Sequence, residues 1–417
     1  MRKTVFQFAM LGLLLFSSLQ ARQTWIPAMP PPWAARHCFV TPVYDGKLWV
    51  LGGEDAMGRS FNDVWCTTNG SGWIRVDSAA PWAPRFRLTS AVLDDKLWIM
   101  GGGGFGSYND VWNTTDGDSW VQVTPAAGWA GRKGHCTVVF DNKLWLFGGN
   151  AGGAMMNDVW YSSDGANWIQ ADSTAPWAAR GGAASVVWRD TIWLMGGVVT
   201  GGPQIQFLND VWFSADGANW TLATDSAGWV PRRGMSAVVL RDTLWLMGGN
   251  ASIPIFSDVW YTVNGRDWLT ATPAAEWLPR WNHGAAAYLD RLWVIGGWGY
   301  LGVVFQDVWF SEGLGGIEEQ GPPPSGGAPP LTLSSNPFRG TVLISCRPPG
   351  TGAARLAIRS RTGARVRSWV DQRPAADRTD FCWDGRDDAG RLAPAGVYFL
   401  SLESKGFSAT AKVAKLD

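Results

Sequence analysis

The sequence predicts an all-β fold built by repetition of one unit, followed by a smaller β-rich domain. Three observations carry this. A Gly-Gly pair closing a strand-like run, followed by Asp-Val-Trp, occurs six times between residues 22 and 312. Its period of about 50 residues is that of repeats that stack into rings or solenoids. Short runs rich in Val, Leu, Trp and Phe alternate with Gly and Asp turn signals, and helical periodicity is absent. The sixth repeat breaks off after Asp307-Val308-Trp309, and its missing last strand stands at the N-terminal end of the array. Together these predict a six-bladed β-propeller closed by an N-terminal strand.

Leu144 to Arg180 shows one whole unit: a strand ending in Gly148-Gly149, a loop, a strand on Asp158-Val159-Trp160, the turn Asp164-Gly165, a strand on Trp168, and Trp177-Ala178-Ala179-Arg180. The other glycine pairs are read at Gly52-Gly53, Gly102-Gly103, Gly196-Gly197, Gly248-Gly249 and Gly296-Gly297. The matching aspartates are Asp63, Asp110, Asp210, Asp258 and Asp307. Asn69-Gly70, Asp116-Gly117, Asp216-Gly217 and Asn264-Gly265 are read as two-residue hairpin turns, which need positive φ. Gln23-Thr24-Trp25-Ile26 and then Pro32-Trp33-Ala34-Ala35-Arg36 match the end of the unit. The N-terminal segment therefore supplies the outer strand of the last blade and removes an open edge.

The order Arg, small-residue strand, Leu-Trp, Gly-Gly, Asn-Asp-Val-Trp, turn, Trp resembles the kelch repeat over residues 22–312. The resemblance implies a six-bladed propeller of four-stranded blades. Residues 313–330, rich in Pro and Gly, read as a linker. From Leu331 a second pattern begins, with Asn336-Pro337-Phe338, Trp383-Asp384-Gly385-Arg386-Asp387-Asp388-Ala389-Gly390 and Gly396-Val397-Tyr398-Phe399. It resembles the FlgD-type immunoglobulin-like domain and the related C-terminal sorting domain of type IX secretion. Either implies a small Ig-like β-sandwich over 331–417, at the end of an exported bacterial protein and serving secretion, cell-surface attachment or assembly.

Residues 1–21 read as a signal peptide: Arg2 and Lys3, an apolar run from Val5 to Phe16, and cleavage after Ala21. That run is too short to span a bilayer, and no later stretch is long and apolar enough. The expected location is the periplasm, the cell surface or the exterior. Lys+Arg and Asp+Glu balance at 35 each, which gives no signal for nucleic acid. The balance conceals an asymmetry: residues 331–417 hold fourteen basic and eight acidic side chains, residues 22–330 nineteen and twenty-seven. Cys346 and Cys382, both in strand-like runs, are a candidate disulfide. Cys38, Cys66 and Cys136 read as small buried thiols.

The 29 tryptophans suggest sugar stacking until the repeat is subtracted. Four positions in each of six repeats account for twenty-four of them, leaving Trp188, Trp281, Trp298, Trp369 and Trp383. With strands a to d numbered from the axis outwards, the d–a and b–c loops share one face. Variable loops on a rigid frame are where binding residues gather. One arginine per repeat falls on the d–a loop: Arg36, Arg85, Arg132, Arg180, Arg232 and Arg280. These are candidates for an anion-binding ring, against the alternative of pairing with the six aspartates inside the fold.

Non-repeating candidates on that face are His37, Lys133, His135, Arg233, Trp281, His283, Trp298 and Tyr300, with Glu54, Asp55, Arg59, Arg87, Gln204 and Gln206 beside them. His135 and His283 occupy the same position in repeats three and six, too far apart for one metal. No metal, cofactor or catalytic residue is assigned. Nucleophile-elbow, phosphate-loop and zinc-protease motifs are absent. The expected function is non-enzymatic binding of a glycan or a protein. The alternatives are a kelch enzyme that isomerises a sugar, for which Glu54, Asp55, His135 or His283 would supply an acid/base pair, or one that oxidises it, and a structural envelope component.

Overall fold

The computed structural model describes residues 23–202, 204–312, 331–333, 341–346, 354–360, 365–371, 379–404 and 407–415. The signal-peptide and linker readings, residues 1–21 and 313–330, lie outside them. The chain divides into two compact units, Met1–Gly316 and Ile317–Asp417.

The first unit holds six four-stranded antiparallel sheets, one per repeat. Sheet 3 has its strands at Cys136–Phe140, Lys143–Phe147, Val159–Ser162 and Ile169–Asp172, here a to d. Sheets 1, 2, 4 and 5 repeat this plan over residues 43–77, 89–124, 184–224 and 236–272. Sheet 6 takes a to c from Gly284–Tyr288, Arg291–Trp298 and Val304–Ser311, and d from Trp25–Pro27. Trp25 stands opposite Ser311 and Pro27 opposite Trp309.

The core lies between sheets. Six hydrophobic clusters each join neighbouring sheets, and the last joins Trp293, Ile295 and Val308 of sheet 6 to Leu48 and Val50 of sheet 1. A b strand packs against a neighbour on both faces, so Leu144 to Phe147 is buried throughout and reads as a continuous apolar run. The repeated tryptophans make this packing. Six edge-to-face pairs, Trp33–Trp73, Trp82–Trp120, Trp129–Trp168, Trp177–Trp220, Trp229–Trp268 and Trp277–Trp25, have ring centroids 5.8–6.1 Å apart.

Turn chemistry corrects two expectations. The two-residue hairpins join a to b, not c to d: both central residues have positive φ at Asp94-Asp95 and Asp141-Asn142, and even at Arg189-Asp190 and Leu289-Asp290. The c–d turns are longer, with Tyr161 opposite Ile169. There the Asp164 carboxylate accepts from the backbone N–H groups of Ala166 and Asn167, and only Gly165 has positive φ. A Cβ on Gly165 would lie 2.2 Å from the Trp98 ring of the preceding sheet, so this glycine is also a packing requirement. In sheet 2 the working glycine pair is Gly101-Gly102, one residue earlier than the sequence reading, with φ of 57° and 100°.

The six repeat arginines are buried framework residues, not an open anion ring. Each is at most 1% exposed. Arg132 donates from both terminal nitrogens to Asp158, at 2.6 and 2.8 Å, from Nη1 also to the Gly148 carbonyl, and from Nε to the Ala130 carbonyl. Trp160 Nε1 donates to the same carboxylate at 2.8 Å. The pattern recurs as Arg36–Asp63, Arg85–Asp110, Arg180–Asp210, Arg232–Asp258 and Arg280–Asp307. Burial alone would raise the Asp158 pKa, but the hydrogen bonds and charge of Arg132 outweigh it and hold the carboxyl below its ordinary value.

In the second unit, Leu331–Leu333, Val342–Cys346 and Thr379–Trp383 form one antiparallel sheet. Arg365–Asp371, Ala354–Arg359, Gly396–Ser404 and Phe407–Lys415 form a second. Val342, Ile344 and Trp383 of the first sheet share one core with Leu356, Ile358, Leu400 and Val413 of the second. The candidate Cys346–Cys382 disulfide is not formed, and Cys382 is a free thiol. Register explains why: Cys382 stands opposite Leu343 and Cys346 opposite Thr379. Three positions along a strand are about 10 Å, beyond disulfide reach.

Two outcomes check this framework by thermal or denaturant unfolding of the whole chain. Arg132→Met strands the buried Asp158 carboxylate and lowers stability by about 3–5 kcal/mol; a loss under about 1 kcal/mol contradicts the framework role. Deleting residues 23–30 removes Trp25 from its seat against Trp277 and bares the edge of Val304–Ser311. The melting midpoint of the first unit then falls by several degrees or more, and an unchanged melt refutes closure by the N-terminal strand.

Candidate functional site

In every repeat the d–a loop bridges to the adjacent b–c loop, from His37 with Glu54 round to Trp281 with Trp298. The residue two after each repeat arginine then meets its counterparts in the neighbouring repeats. Arg87 N–H donates to the Cys38 carbonyl, Gly134 to Arg87, Gly182 to Gly134, Gly234 to Gly182, Asn282 to Gly234 and Cys38 to Asn282, at 2.7–3.0 Å. Six peptide groups thus close a ring of hydrogen bonds. All six residues have positive φ, between 49° and 62°. Glycine meets that demand at three positions, while Cys38, Arg87 and Asn282 adopt it with side chains, a backbone state uncommon outside glycine.

The ring is therefore lopsided. Gly134, Gly182 and Gly234 form a bare floor on one side, and Cys38, Arg87 and Asn282 carry side chains on the other. Arg87 and Arg233 border the floor: the Arg87 side chain is the one that would meet a Cβ on Gly134, and Arg233 the one that would meet a Cβ on Gly182. The two guanidinium groups are close enough to affect each other, and burial followed by the charge of Arg87 lowers the Arg233 pKa. The Nε of each is buried without a hydrogen-bond partner among the described residues. Among the described residues, neither has a carboxylate within ion-pair distance.

From Arg233 a row of aromatic groups crosses the face. The guanidinium lies 5.0 Å from the Trp281 ring, Trp281 stacks on Trp298 at 6.0 Å, and Trp298 meets the His37 ring at 4.4 Å. His37 Nε2 lies 3.7 Å from Glu54 Oε1, and Nδ1 lies 3.1 Å from Cys38 Sγ. Burial, then the charge of Arg87, lowers the His37 pKa to about 4, so its imidazole is neutral near pH 7. Burial also raises the pKa of Glu54, against the pull of Arg87 and Lys133. His37, Cys38 and Glu54 bring three potential metal-ligand atoms within 4.8 Å of one another. Burial lifts the Cys38 thiol to about 11, so it is protonated, and the Arg87 charge beside it repels a cation.

The remaining candidates do not join this cluster. His135 and His283, read from the sequence as satisfied histidines of the channel wall on this face, are buried in the wall of an axial cavity of about 430 Å³, with Thr41, Thr89, Thr137 and Ser185. His135 Nε2 shares a 2.8 Å hydrogen bond with Thr89, while neither nitrogen of His283 has a partner among the described residues. Lys133 lies over Phe86 at 5.1 Å. Tyr300 is on the same side but ties two b–c loops together, its hydroxyl accepting from Ile255 N–H at 2.8 Å. Sequence reading missed Cys38 and Asn282 as ring members. The available signal was the third residue counting from each repeat arginine, which is glycine in three repeats of six.

The three buried histidines predict a pH dependence. Their pKa values are about 4 for His37 and about 3 for His135 and His283, lowered by burial from 6.5. As pH falls below 6.5 the unfolded chain takes up protons that the folded chain refuses. Stability present at pH 7 is therefore lost progressively down to about pH 4, by up to about 1.4 kcal/mol per proton per pH unit. His135→Gln reduces that slope by one proton in unfolding curves taken between pH 7 and 4; an unaltered slope contradicts the assignment.

Comparison with known proteins bears on the fold. Residues 113–249 match the family model described as KLHDC2/KLHL20/DRC7 Kelch-repeats domain, and residues 35–66 match the Kelch motif. No curated protein matches the chain. Among solved structures, that titled "Structure of YjhT" is similar at 19% identity and a TM-score of 0.55, over 67% of this chain and 95% of that one. At that identity the likeness concerns fold alone. The chain carries kelch repeats on an all-β fold of the kelch β-propeller kind.

Proposed function

We propose that the six sheets are the blades of one propeller in an exported, non-enzymatic binding protein. The face formed by the d–a and b–c loops recognises a protein or glycan ligand. The second unit is an Ig-like sandwich serving secretion, attachment or assembly. One observation carries the binding reading: Arg87 and Arg233 are only half-buried beside the Trp281–Trp298 stack, and among the described residues neither guanidinium has a carboxylate within ion-pair distance. Guanidinium groups left without a carboxylate are suited to an anionic or hydrogen-bond-accepting ligand group. The kelch repeats are consistent with a protein partner.

A second reading is favoured by the approach of His37 to Glu54. A neutral imidazole and a carboxyl of raised pKa are suited to moving a proton on a sugar, as in mutarotation or epimerisation.

Glycan and peptide arrays probed with the full chain test the first reading. Arg87→Gln and Trp281→Ala weaken any specific hit by about 30-fold, the effect of losing a hot-spot side chain of about 2 kcal/mol, while leaving the melting midpoint near that of the parent. Absence of any hit, or hits indifferent to both substitutions, rejects binding at this ring. For the second reading, Glu54→Gln abolishes interconversion of a bound sugar and retains its binding; turnover surviving that change removes Glu54 from the chemistry.

A further inference from the structure

Five of the six b–c loops carry a protruding apolar side chain. Met57, Phe105 and Leu301 are fully exposed, Ile253 is 83% exposed and Ile205 58%. They belong to sheets 1, 2, 6, 5 and 4. The loop of sheet 3 has Gly152-Gly153 at its tip instead. Bridges tie each loop to its d–a neighbour, so the tips surround the hydrogen-bonded ring on one face.

Single exposed apolar residues are ordinary on protein surfaces. Ile74, Val121 and Ile169, for example, are exposed on d strands about as much as Ile205, but they recur with the repeat. The loop tips differ, because they come from loops of unrelated sequence and length that share nothing except this kind of tip. Inside the crown of tips the charge is mostly positive. Arg59 and Asp55 pair with each other, which leaves Arg87 and Lys133 acting on Glu54, with Arg233 near Arg87.

We propose that this face docks on a lipid surface bearing anionic phosphate headgroups. The tips enter the boundary between headgroups and acyl chains, and Arg87 and Arg233 take headgroup phosphate. The proposal rests on the reading of this face as the binding face and goes beyond its protein or glycan ligand. Two features favour lipid over a protein partner. A protein would need a shaped pocket for each of five tips on five separate loops, whereas a fluid acyl layer accepts any apolar shape. An apolar rim around a cationic centre also matches the order of an anionic membrane surface, charge outside and hydrocarbon beneath. The short reach of single side chains makes this a surface attachment, and no described helix is long and apolar enough to cross a membrane.

The test is co-sedimentation of the full chain with vesicles of phosphatidylcholine, and of phosphatidylcholine mixed equally with phosphatidylglycerol. The chain sediments with the mixed vesicles and little with phosphatidylcholine alone. The double variant Phe105→Ser, Leu301→Ser lowers partitioning about tenfold or more without moving the melting midpoint, since both side chains are fully exposed. Arg87→Gln with Arg233→Gln reduces the preference for phosphatidylglycerol and the sensitivity to salt. Equal sedimentation of parent and Phe105→Ser, Leu301→Ser overturns the proposal, and so does sedimentation indifferent to lipid charge. Inorganic phosphate binding that depends on Arg87 and Arg233, without vesicle association, identifies a free-anion site and also overturns it. Specific glycan or peptide hits without vesicle association reject the lipid surface while leaving the soluble-ligand reading standing; vesicle association without such hits does the reverse.

Discussion

The buried arginine–aspartate pair is the interaction on which the rest of the first unit depends. Two charges removed from water are tolerated only when nearly every lone pair and N–H finds a partner. Here Arg132 serves Asp158, the Gly148 carbonyl and the Ala130 carbonyl, while Trp160 completes the carboxylate. One guanidinium thereby joins the d–a loop, the end of strand b and the start of strand c. Such a cluster works only with the backbone carbonyl of the first glycine turned inward, and Gly148 takes φ of 66° to present it. Repetition of the cluster fixes six d–a loops at one height, which lets their next residues meet in a closed ring.

That ring shows how a structural demand becomes a place for variation. Each position needs positive φ, so glycine is the low-strain choice, and three repeats use it. The other three accept a less favourable backbone and gain Cys38, Arg87 and Asn282 at the centre of the face. Strain kept where glycine would serve is the kind of outlier that points to function. Cys38, with its protonated thiol, Arg87 and Asn282 lie together with His37 and Glu54, so the polar content of the face is concentrated on the side of sheets 6, 1 and 2.

The repeat was highly legible in the sequence because its parts are local. A Gly-Gly pair, an Asp before Val-Trp and a Trp after an Asx-Gly turn mark elements a few residues long. The N-terminal strand was legible too, because its absence at one end and presence at the other are the same motif. What misled was the attribution of turn type: Asp164-Gly165 has hairpin-turn composition, but its glycine is required by Trp98 of the preceding sheet, a contact distant in sequence that no local rule sees. The glycine pair of sheet 2 is ambiguous in the sequence because four glycines stand together, and only the Arg85 guanidinium donating to its carbonyl identifies Gly101. Cys346 and Cys382 shared strand-like surroundings, yet pairing depends on register, which composition does not reveal.

The site was less legible for an electrostatic reason. From sequence, eight arginines on the d–a loops look alike, and the regular six look more like a designed ring than the irregular two. Position reverses this. The six have carboxylates in fixed register and are sealed from solvent, so their charge is neutralised where a ligand cannot reach it. Arg87 and Arg233 have no assigned aspartate, lie close enough to repel each other and keep buried Nε groups unpaired. A fold that neutralises six guanidinium groups completely and leaves two adjacent ones unneutralised over a floor of glycines has placed its remaining positive potential at one point. The charge of the face is set by that difference between otherwise similar arginines, and the sequence records it only as the absence of a partner.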